Sequence, residues 1–193
     1  IDDADFEATV FRDTVDFEKA EFRFGNFSGA EFHGNAIFVE TTFGDGALFQ
    51  RAEFDASGLF ARAIFADETD FSSTAFADSA YFDEVQFNAD TTFADATFES
   101  DTTFEASEFE GSSNRHNDDA NFESATFLAG ADFTDVSFRY TNFTNTEFAE
   151  DAWFEGISVA DSIVFRPQPT ETEETLIHLE NATLRGGTLG QPE

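Results

Sequence analysis

The chain has 193 residues with a formal net charge of −32, from 41 Asp and Glu against nine Lys and Arg, and it contains 29 Phe but neither Cys nor Met. Without Cys it can form no disulfide, thiolate nucleophile or thiolate metal site, and with so few basic residues it lacks the footprint for direct nucleic-acid binding. No apolar run approaches the roughly 18 residues that a bilayer-spanning helix needs, so we expect no membrane span in this chain.

The chain opens on Ile1 without Met and shows no signal peptide. We therefore expect a processed chain or a fragment of a longer protein, either cytoplasmic or exported.

Phe recurs from Phe6 to Phe165 at intervals that mostly alternate between five and six residues. All the Phe except Phe24 follow this register, and Val159 fills its one vacant slot. The residue two positions before each Phe is almost always small or β-branched, and two residues at this spacing point to the same side of an extended backbone. An apolar pair every five or six residues fits neither a helix nor a long alternating strand. The pattern predicts short extended faces joined by corners, as in a β-solenoid.

Four faces per coil organise the intervals best. The first coil then carries Phe6, Phe11, Phe17 and Phe22 on faces one, two, three and four, and later coils repeat this order. The interval is always five from face one to two and from three to four, and always six from two to three. All variation falls on the corner from face four to face one, where the interval is five, six or thirteen. An arbitrary phase would not concentrate the irregularities on one corner, so we predict seven to eight four-faced coils, seven of which span roughly 34 Å.

Over residues 4–165 this pattern resembles the pentapeptide-repeat family, in its Phe-centred branch with alternating five- and six-residue units. The resemblance implies an all-β, right-handed quadrilateral β-helix whose central Phe and small preceding residue both point inward. Four Phe per layer would fill such a lumen and leave no room for a cofactor or a substrate. We therefore expect no cofactor, and any function should lie on the outside or at the ends.

The sequence predicts three regions. Residues 1–165 form the solenoid with a loop inserted at 110–121, and residues 166–178 form a Pro- and Glu-rich connector. Residues 179–193 are a Leu-centred repeat remnant or a C-terminal coil, with Leu179, Leu184 and Leu189 five apart. Both chain ends lie near the repeat register and would leave open strand edges, which favours end-to-end or homodimeric association.

The inserted loop is the first candidate interaction site. Loops on rigid scaffolds often carry function, although an insertion at a corner is also tolerated without one. The residues that we single out in it are Asn114, Arg115, His116, Asn117, Asp118 and Asp119.

A near-repeat at the two shortened corners is the second candidate. Arg23 precedes the out-of-register Phe24, and Arg139 precedes Tyr140 at the equivalent corner. Each guanidinium could stack beside the aromatic ring on the surface, or the motif could only pack a tight corner.

The third candidate is an apolar stripe on face three. It comprises Ile37, Leu59, Tyr81 and Trp153, each of which directly precedes a face-three Phe. Such a stripe can be a partner site, or it can be a ladder that stabilises neighbouring coils.

These observations favour a non-enzymatic structural scaffold or protein-interaction module. We assign no catalytic, cofactor-binding or metal-binding residue, because the three His residues are scattered along the chain. Acidic residues appear on all four faces, which favours a salt-adapted surface of the kind found in halophiles. The alternative is a DNA mimic that binds a type II topoisomerase such as DNA gyrase, but a mimic should concentrate its charge along one track. The sequence does not identify the protein partner.

Overall fold

The computed structural model describes residues 2–111, 119–166, 176–184 and 188–189. These residues form 30 strands and no helix, and the paired strands run parallel throughout. Within the four described ranges the protein is thus an all-β solenoid, as predicted.

The strands fall into four columns, one for each face. Face one contains the strands Asp3–Asp5, Phe24–Asn26, Ala47–Leu48, Thr69–Asp70, Thr91–Thr92, Ala120–Asn121 and Thr188–Leu189. Face two contains Val10–Phe11, Glu31–Phe32, Glu53–Phe54, Ala75–Phe76, Thr97–Phe98, Thr126–Phe127 and Glu147–Phe148. Face three contains Val15–Asp16, Ala36–Ile37, Gly58–Leu59, Ala80–Tyr81, Thr102–Thr103, Ala131–Asp132, Ala152–Trp153 and Ile177–His178. Face four contains Glu21–Phe22, Thr42–Phe43, Ile64–Phe65, Gln86–Phe87, Glu108–Phe109 and Thr183–Leu184. Two longer strands, Ser137–Thr144 and Ser158–Arg166, continue from face four around the corner into face one.

Each strand pairs in register with the equivalent strand of the next coil. On face two, for example, Phe54 lies between Phe32 and Phe76. The same alignment holds on the other faces and through about seven turns, which confirms the four-face assignment. The right-handed sense of winding stays a prediction from the resemblance.

The Phe side chains stack in columns that fill the lumen. On face one, Phe49 stacks on Phe27 and on Phe71 with ring centroids 4.9 and 4.6 Å apart and ring planes within 5°. Face-three rings meet these columns edge-on, since Phe60 lies 5.6 Å from Phe49 and 5.5 Å from Phe71 at angles of 87° and 90°. Stacked and edge-to-face pairs each add about 0.5–1.5 kcal/mol beyond the area that they bury. The core is therefore a continuous aromatic column.

Two kinds of corner explain the two intervals. After Phe49 and Phe60, the amide three residues on donates to the Phe carbonyl at 2.9 Å, and Arg51 and Arg62 between them have φ of 57°. This is the pattern of a type II turn, and it recurs after the Phe of faces one and three. A tight turn needs only five residues from one Phe to the next. The other two corners lack this turn. The corner from face two to face three always takes six residues, whereas the corner from face four to face one takes five, six or thirteen.

The small inward position tolerates a hydroxyl because a carbonyl lies within its reach. Thr41, Thr74 and Thr146 donate to the carbonyl oxygens of Phe17, Phe49 and Phe122 at 2.7, 2.7 and 2.8 Å. Among the described residues, no buried side-chain nitrogen or oxygen lacks a hydrogen-bond partner. Thr can therefore alternate with Ala in the lumen wall without leaving a buried polar group unsatisfied.

The segment after residue 175 continues the columns. Ile177 and His178 pair with Ala152 and Trp153 on face three. Thr183–Leu184 and Thr188–Leu189 pair with the strand Ser158–Arg166 on faces four and one. The Leu-centred spacing thus coincides with strand pairing onto the seventh and eighth coils.

Candidate interaction surfaces

The predicted apolar residues lie in one column on face three. The register places Leu59 between Ile37 and Tyr81, so these three side chains occupy consecutive coils. Tyr81 has 38% of its surface exposed, and the other two are half-buried. The first three residues of the proposed stripe are therefore contiguous.

Trp153 is separated from this group. Thr103 and Asp132 occupy the two coils between Tyr81 and Trp153 in the same column. The four residues of the predicted stripe therefore do not form one continuous surface. Three apolar side chains are contiguous, and two polar residues separate them from Trp153.

Polar residues in this column have a local structural role. Asp16, Thr103 and Asp132 accept the backbone N–H two residues further on, at 2.8, 3.2 and 2.8 Å. Each bond holds the backbone at the start of the tight turn in place, as in Asx- and ST-turns. The side chains of Ile37 and Leu59 have no acceptor, so the strands that carry them lack this hydrogen bond. The turn therefore favours Asp or Thr at this position, and it does not explain why Ile37 and Leu59 are apolar.

A cleft of about 320 Å³ opens on face three at the polar gap. We call it the face-three cleft, and its principal lining residues are Tyr81, Asp101, Thr103, Asp132, Glu150 and Trp153. The aromatic residues come from the predicted stripe, whereas sequence reasoning missed the carboxylates. Asp132 could have been found by stepping along the face-three register from Tyr81, but Asp101 and Glu150 belong to corners.

Trp153 is held on two sides. Its indole stacks on the imidazole of His178 with centroids 5.6 Å apart and ring planes at 8°. A Cβ at Gly130 would lie 3.1 Å from the indole, so the absence of a side chain there makes room for the ring. His178 also lies 3.5 Å from Asp151 through Nε2 and Oδ2. The indole is therefore positioned before any partner arrives.

The inserted loop is described only at its borders. Asn114, Arg115, His116, Asn117 and Asp118 lie outside the described residues, and their role stays a prediction.

Asp119, the last of the predicted loop residues, is 3% exposed and belongs to the corner itself. Burial raises the pKa of its carboxyl group, while Arg139 and the backbone N–H of Tyr140 oppose the rise. The nearest distance to the Arg139 guanidinium is 3.9 Å, and Arg139 also reaches Asp161 at 3.0 Å. Asp119 thus contributes to corner structure rather than to an exposed recognition loop.

The other shortened corner has the same arrangement. Arg23 forms ion pairs with Asp3 and, at 2.7 Å, with Asp45. As at Arg139, the two carboxylates come from the neighbouring coils on either side, while Phe24 lies half-buried beside them. Exposed ion pairs of this kind typically stabilise a fold by less than about 1 kcal/mol. Because each guanidinium pairs with carboxylates of the adjacent corners, these contacts favour the corner-packing interpretation of the motif.

The described ranges contain no group of three or more His, Asp or Glu side chains arranged to hold a metal ion. They also contain no helix that is long and apolar enough to cross a membrane. Of the described His residues, His33 lies 2.5 Å from Asp55 through Nδ1 and Oδ2 on the exposed side of face two.

No curated protein shows significant sequence similarity to the chain. Among solved structures, the chain is similar to HetL, a pentapeptide repeat protein involved in heterocyst differentiation regulation from the cyanobacterium Nostoc sp. strain PCC 7120. The two chains are 12% identical over 92% of this chain and 90% of HetL, with a TM-score of 0.29.

Two family models match the sequence. One, described as pentapeptide repeats in nine copies, matches residues 6–59, and the other, described as pentapeptide repeats in eight copies, matches residues 118–150. The same Phe register connects the two matched segments through residues 60–109, and the strands there pair in the same four columns. Over these two matched segments the chain is built of pentapeptide repeats.

Proposed function

We propose that the protein is a non-enzymatic, rigid scaffold or protein-interaction module with a salt-adapted acidic surface. The filled lumen carries this proposal. Phe60 and Phe82, for example, are fully buried and stack 4.8 Å apart, and rings packed this closely leave no room for a substrate between them. A partner therefore has to bind the outer faces, the corners or the ends.

Face three is the best supported partner surface. Ile37 and Leu59 replace side chains that would cap the following turn, and Tyr81 extends the same apolar run. A contiguous apolar run on an otherwise charged rod is a common mark of a protein contact.

The distribution of charge supports salt adaptation. Exposed carboxylates occur on every face, for example Glu123 on face one, Glu53 on face two, Glu105 on face three and Glu108 on face four. Such a surface repels itself strongly in dilute buffer, whereas at about 1 M salt the Debye length falls to about 3 Å and the repulsion is screened.

A salt titration tests the acidic surface. We expect the melting temperature to fall steeply as salt is lowered from about 2 M to about 0.05 M, with loss of the β-sheet circular dichroism at the low end. A melting temperature that does not change across this range would contradict the proposed salt adaptation.

Face-specific crosslinking tests the interaction module. Because the chain has no Cys, a single Cys can carry a photocrosslinker at Ala94, Ala77, Ala61 or Ala66, which directly follow a Phe on faces one, two, three and four. In native cell extract, we expect one protein to be crosslinked from face three and not from the opposite face. Equal labelling from all four faces, or no labelling, would contradict a specific interaction surface.

A rod with a net charge of −32 also supports the second candidate, a DNA mimic that binds a type II topoisomerase. Titration of the protein into a gyrase supercoiling reaction tests it, with an unrelated protein of equal acidity as control. Inhibition at stoichiometric amounts by this protein alone would favour the mimic over the scaffold. No inhibition would rule out the mimic at the concentrations tested.

A further inference from the structure

We propose that the face-three cleft binds the guanidinium group of an Arg side chain in an extended segment of the partner protein. This inference rests on the proposed function as an interaction module, and it names the chemistry that the module recognises. Three features of the cleft support this binding, namely its charge, its aromatic walls and the rigidity of both.

The carboxylates give the cleft its charge preference. Asp101, Asp132 and Glu150 line it, and no Arg or Lys is among the described residues that line it. Asp132 uses Oδ1 to accept the N–H of Thr134, and Asp101 uses Oδ1 to accept the N–H of Gly130. These bonds orient the two carboxylates, and each has a second oxygen that can accept from a guanidinium. Charge-assisted bonds of this type are about twice as strong as neutral ones.

The aromatic residues favour a guanidinium over an ammonium group. Trp153 and Tyr81 line the cleft three coils apart, which corresponds to about 14 Å along the rod. A planar guanidinium stacks on an aromatic face and still donates in its plane to carboxylates, whereas an ammonium group cannot do both as well. An extended segment that lies along face three would place its Arg over the gap and its neighbours against Tyr81 and Leu59.

The cleft is rigid in the free protein. His178 stacks on Trp153, Gly130 packs against its edge, and the backbone of each coil pairs with both neighbours. Binding therefore requires little ordering of the cleft, and a small number of contacts can give measurable affinity.

The single Trp makes the inference directly testable. Trp153 is the only Trp in the chain, so fluorescence excited selectively at Trp, beyond the absorption of Tyr, reports on this cleft. We would titrate the full chain, at a salt concentration where it is folded, with a Gly-flanked Arg peptide and with the same peptide carrying citrulline, which is similar in shape but neutral. We expect a saturable change in Trp153 fluorescence with the Arg peptide and none with the citrulline peptide. The absence of a saturable change with the Arg peptide would overturn the proposal.

Matched variants separate this site from the general attraction of an acidic rod. Asp16 and Asp132 occupy the same position on face three, and each caps the amide two residues on, so Asp16→Asn and Asp132→Asn remove the same charge and keep the same cap. We expect Asp132→Asn to lower the affinity for the Arg peptide about tenfold. Asp16→Asn should leave that affinity within about twofold of the wild-type value. Equal weakening by the two variants would show non-specific attraction and overturn the proposal.

A second readout separates failure of this inference from failure of the proposed function. If crosslinking from face three captures a partner, and Asp132→Asn and Trp153→Leu leave that capture unchanged, the module binds its partner without the cleft. If the capture itself is absent, the interaction module is contradicted as well. Loss of capture in both variants, with circular dichroism unchanged, would support the cleft as the Arg site.

Discussion

Phe93 and Phe122 are 29 residues apart in the sequence, yet their rings stack 5.0 Å apart with an angle of 3° between their planes. Phe71 and Phe93, only 22 residues apart, stack at 4.8 Å with the same angle. The inserted residues between face four and face one therefore leave the packing of the next coil unchanged. Gly111 and Asp119, which border the insertion, are so close that a Cβ on Gly111 would overlap the Asp119 side chain.

Removal of residues 112–118 should therefore be tolerated. The deletion leaves a six-residue interval from Phe109 to Phe122, the interval found at most corners from face four to face one. We expect the melting temperature to change by less than about 3 °C, which corresponds to roughly 1 kcal/mol. Deletion of the seven residues 95–101 from a regular coil is the control, and it should abolish cooperative unfolding. A large loss of stability in the first variant would show that the insertion supports the fold.

The aromatic column should be sensitive to truncation of a single ring. Phe82 is fully buried and stacks on Phe60 and Phe104, each at 4.8 Å. We expect Phe82→Ala to lower the free energy of unfolding by about 3–5 kcal/mol in denaturant titrations, because it leaves a cavity between two layers. The neighbouring Tyr81 points outward, and Tyr81→Ala should cost less than about 1 kcal/mol. A cost below 1 kcal/mol at Phe82 would mean that its ring is not in a close-packed lumen.

The tight turns offer a reciprocal pair of substitutions. Gly29 and Ser73 each lie two residues after a face-one Phe, with φ of 62° and 56°. Apart from Gly29 and its two chain neighbours, no described residue has an atom within 4 Å of the position that a Cβ on Gly29 would take, so Gly29→Ser measures mainly the cost of the left-handed backbone. We expect Gly29→Ser to destabilise and Ser73→Gly to stabilise the protein, each by about 0.5–1 kcal/mol in thermal unfolding. Ser72→Gly, one residue before the positive φ, should destabilise, and stabilisation there would contradict the backbone explanation.

The fold was predictable because one interval pattern specifies both the lumen and the corners. Phe6 to Phe165 could be assigned to faces from spacing alone, since each side chain that breaks the register would leave a cavity in an aromatic column. Corner side chains were not predictable in the same way. Asp101 and Glu150 reach the face-three cleft, and Asp119 becomes buried, because of backbone directions in bends that the Phe spacing does not determine. The stack of Trp153 on His178 was also missed, since the Pro- and Glu-rich stretch between them hides their register.

Asp83 should make stability depend on pH in the acidic range. Its carboxylate accepts a hydrogen bond from Thr103 Oγ1 at 2.6 Å on face three. Burial raises the pKa of this carboxyl group, with smaller contributions from Asp132 and Glu84, while the bond from Thr103 opposes the rise. A folded-state pKa above the unfolded value means that the folded protein holds the proton more tightly. The stability that this proton contributes is present below the unfolded pKa and is lost as the pH rises through the folded pKa.

Asp83→Asn tests this dependence, because the amide keeps an acceptor for Thr103 and cannot ionise. We expect the free energy of unfolding of the variant, relative to the wild type, to increase as the pH rises from about 3 to about 7. Glu105→Gln, at the equivalent position of the next coil, controls for the loss of one acidic group from face three. Thr103→Val removes the hydrogen bond that favours the carboxylate, so in this background the transition should move to higher pH. If Asp83→Asn and Glu105→Gln instead shift stability in parallel at every pH, the expected loss of stability on ionisation of Asp83 is absent.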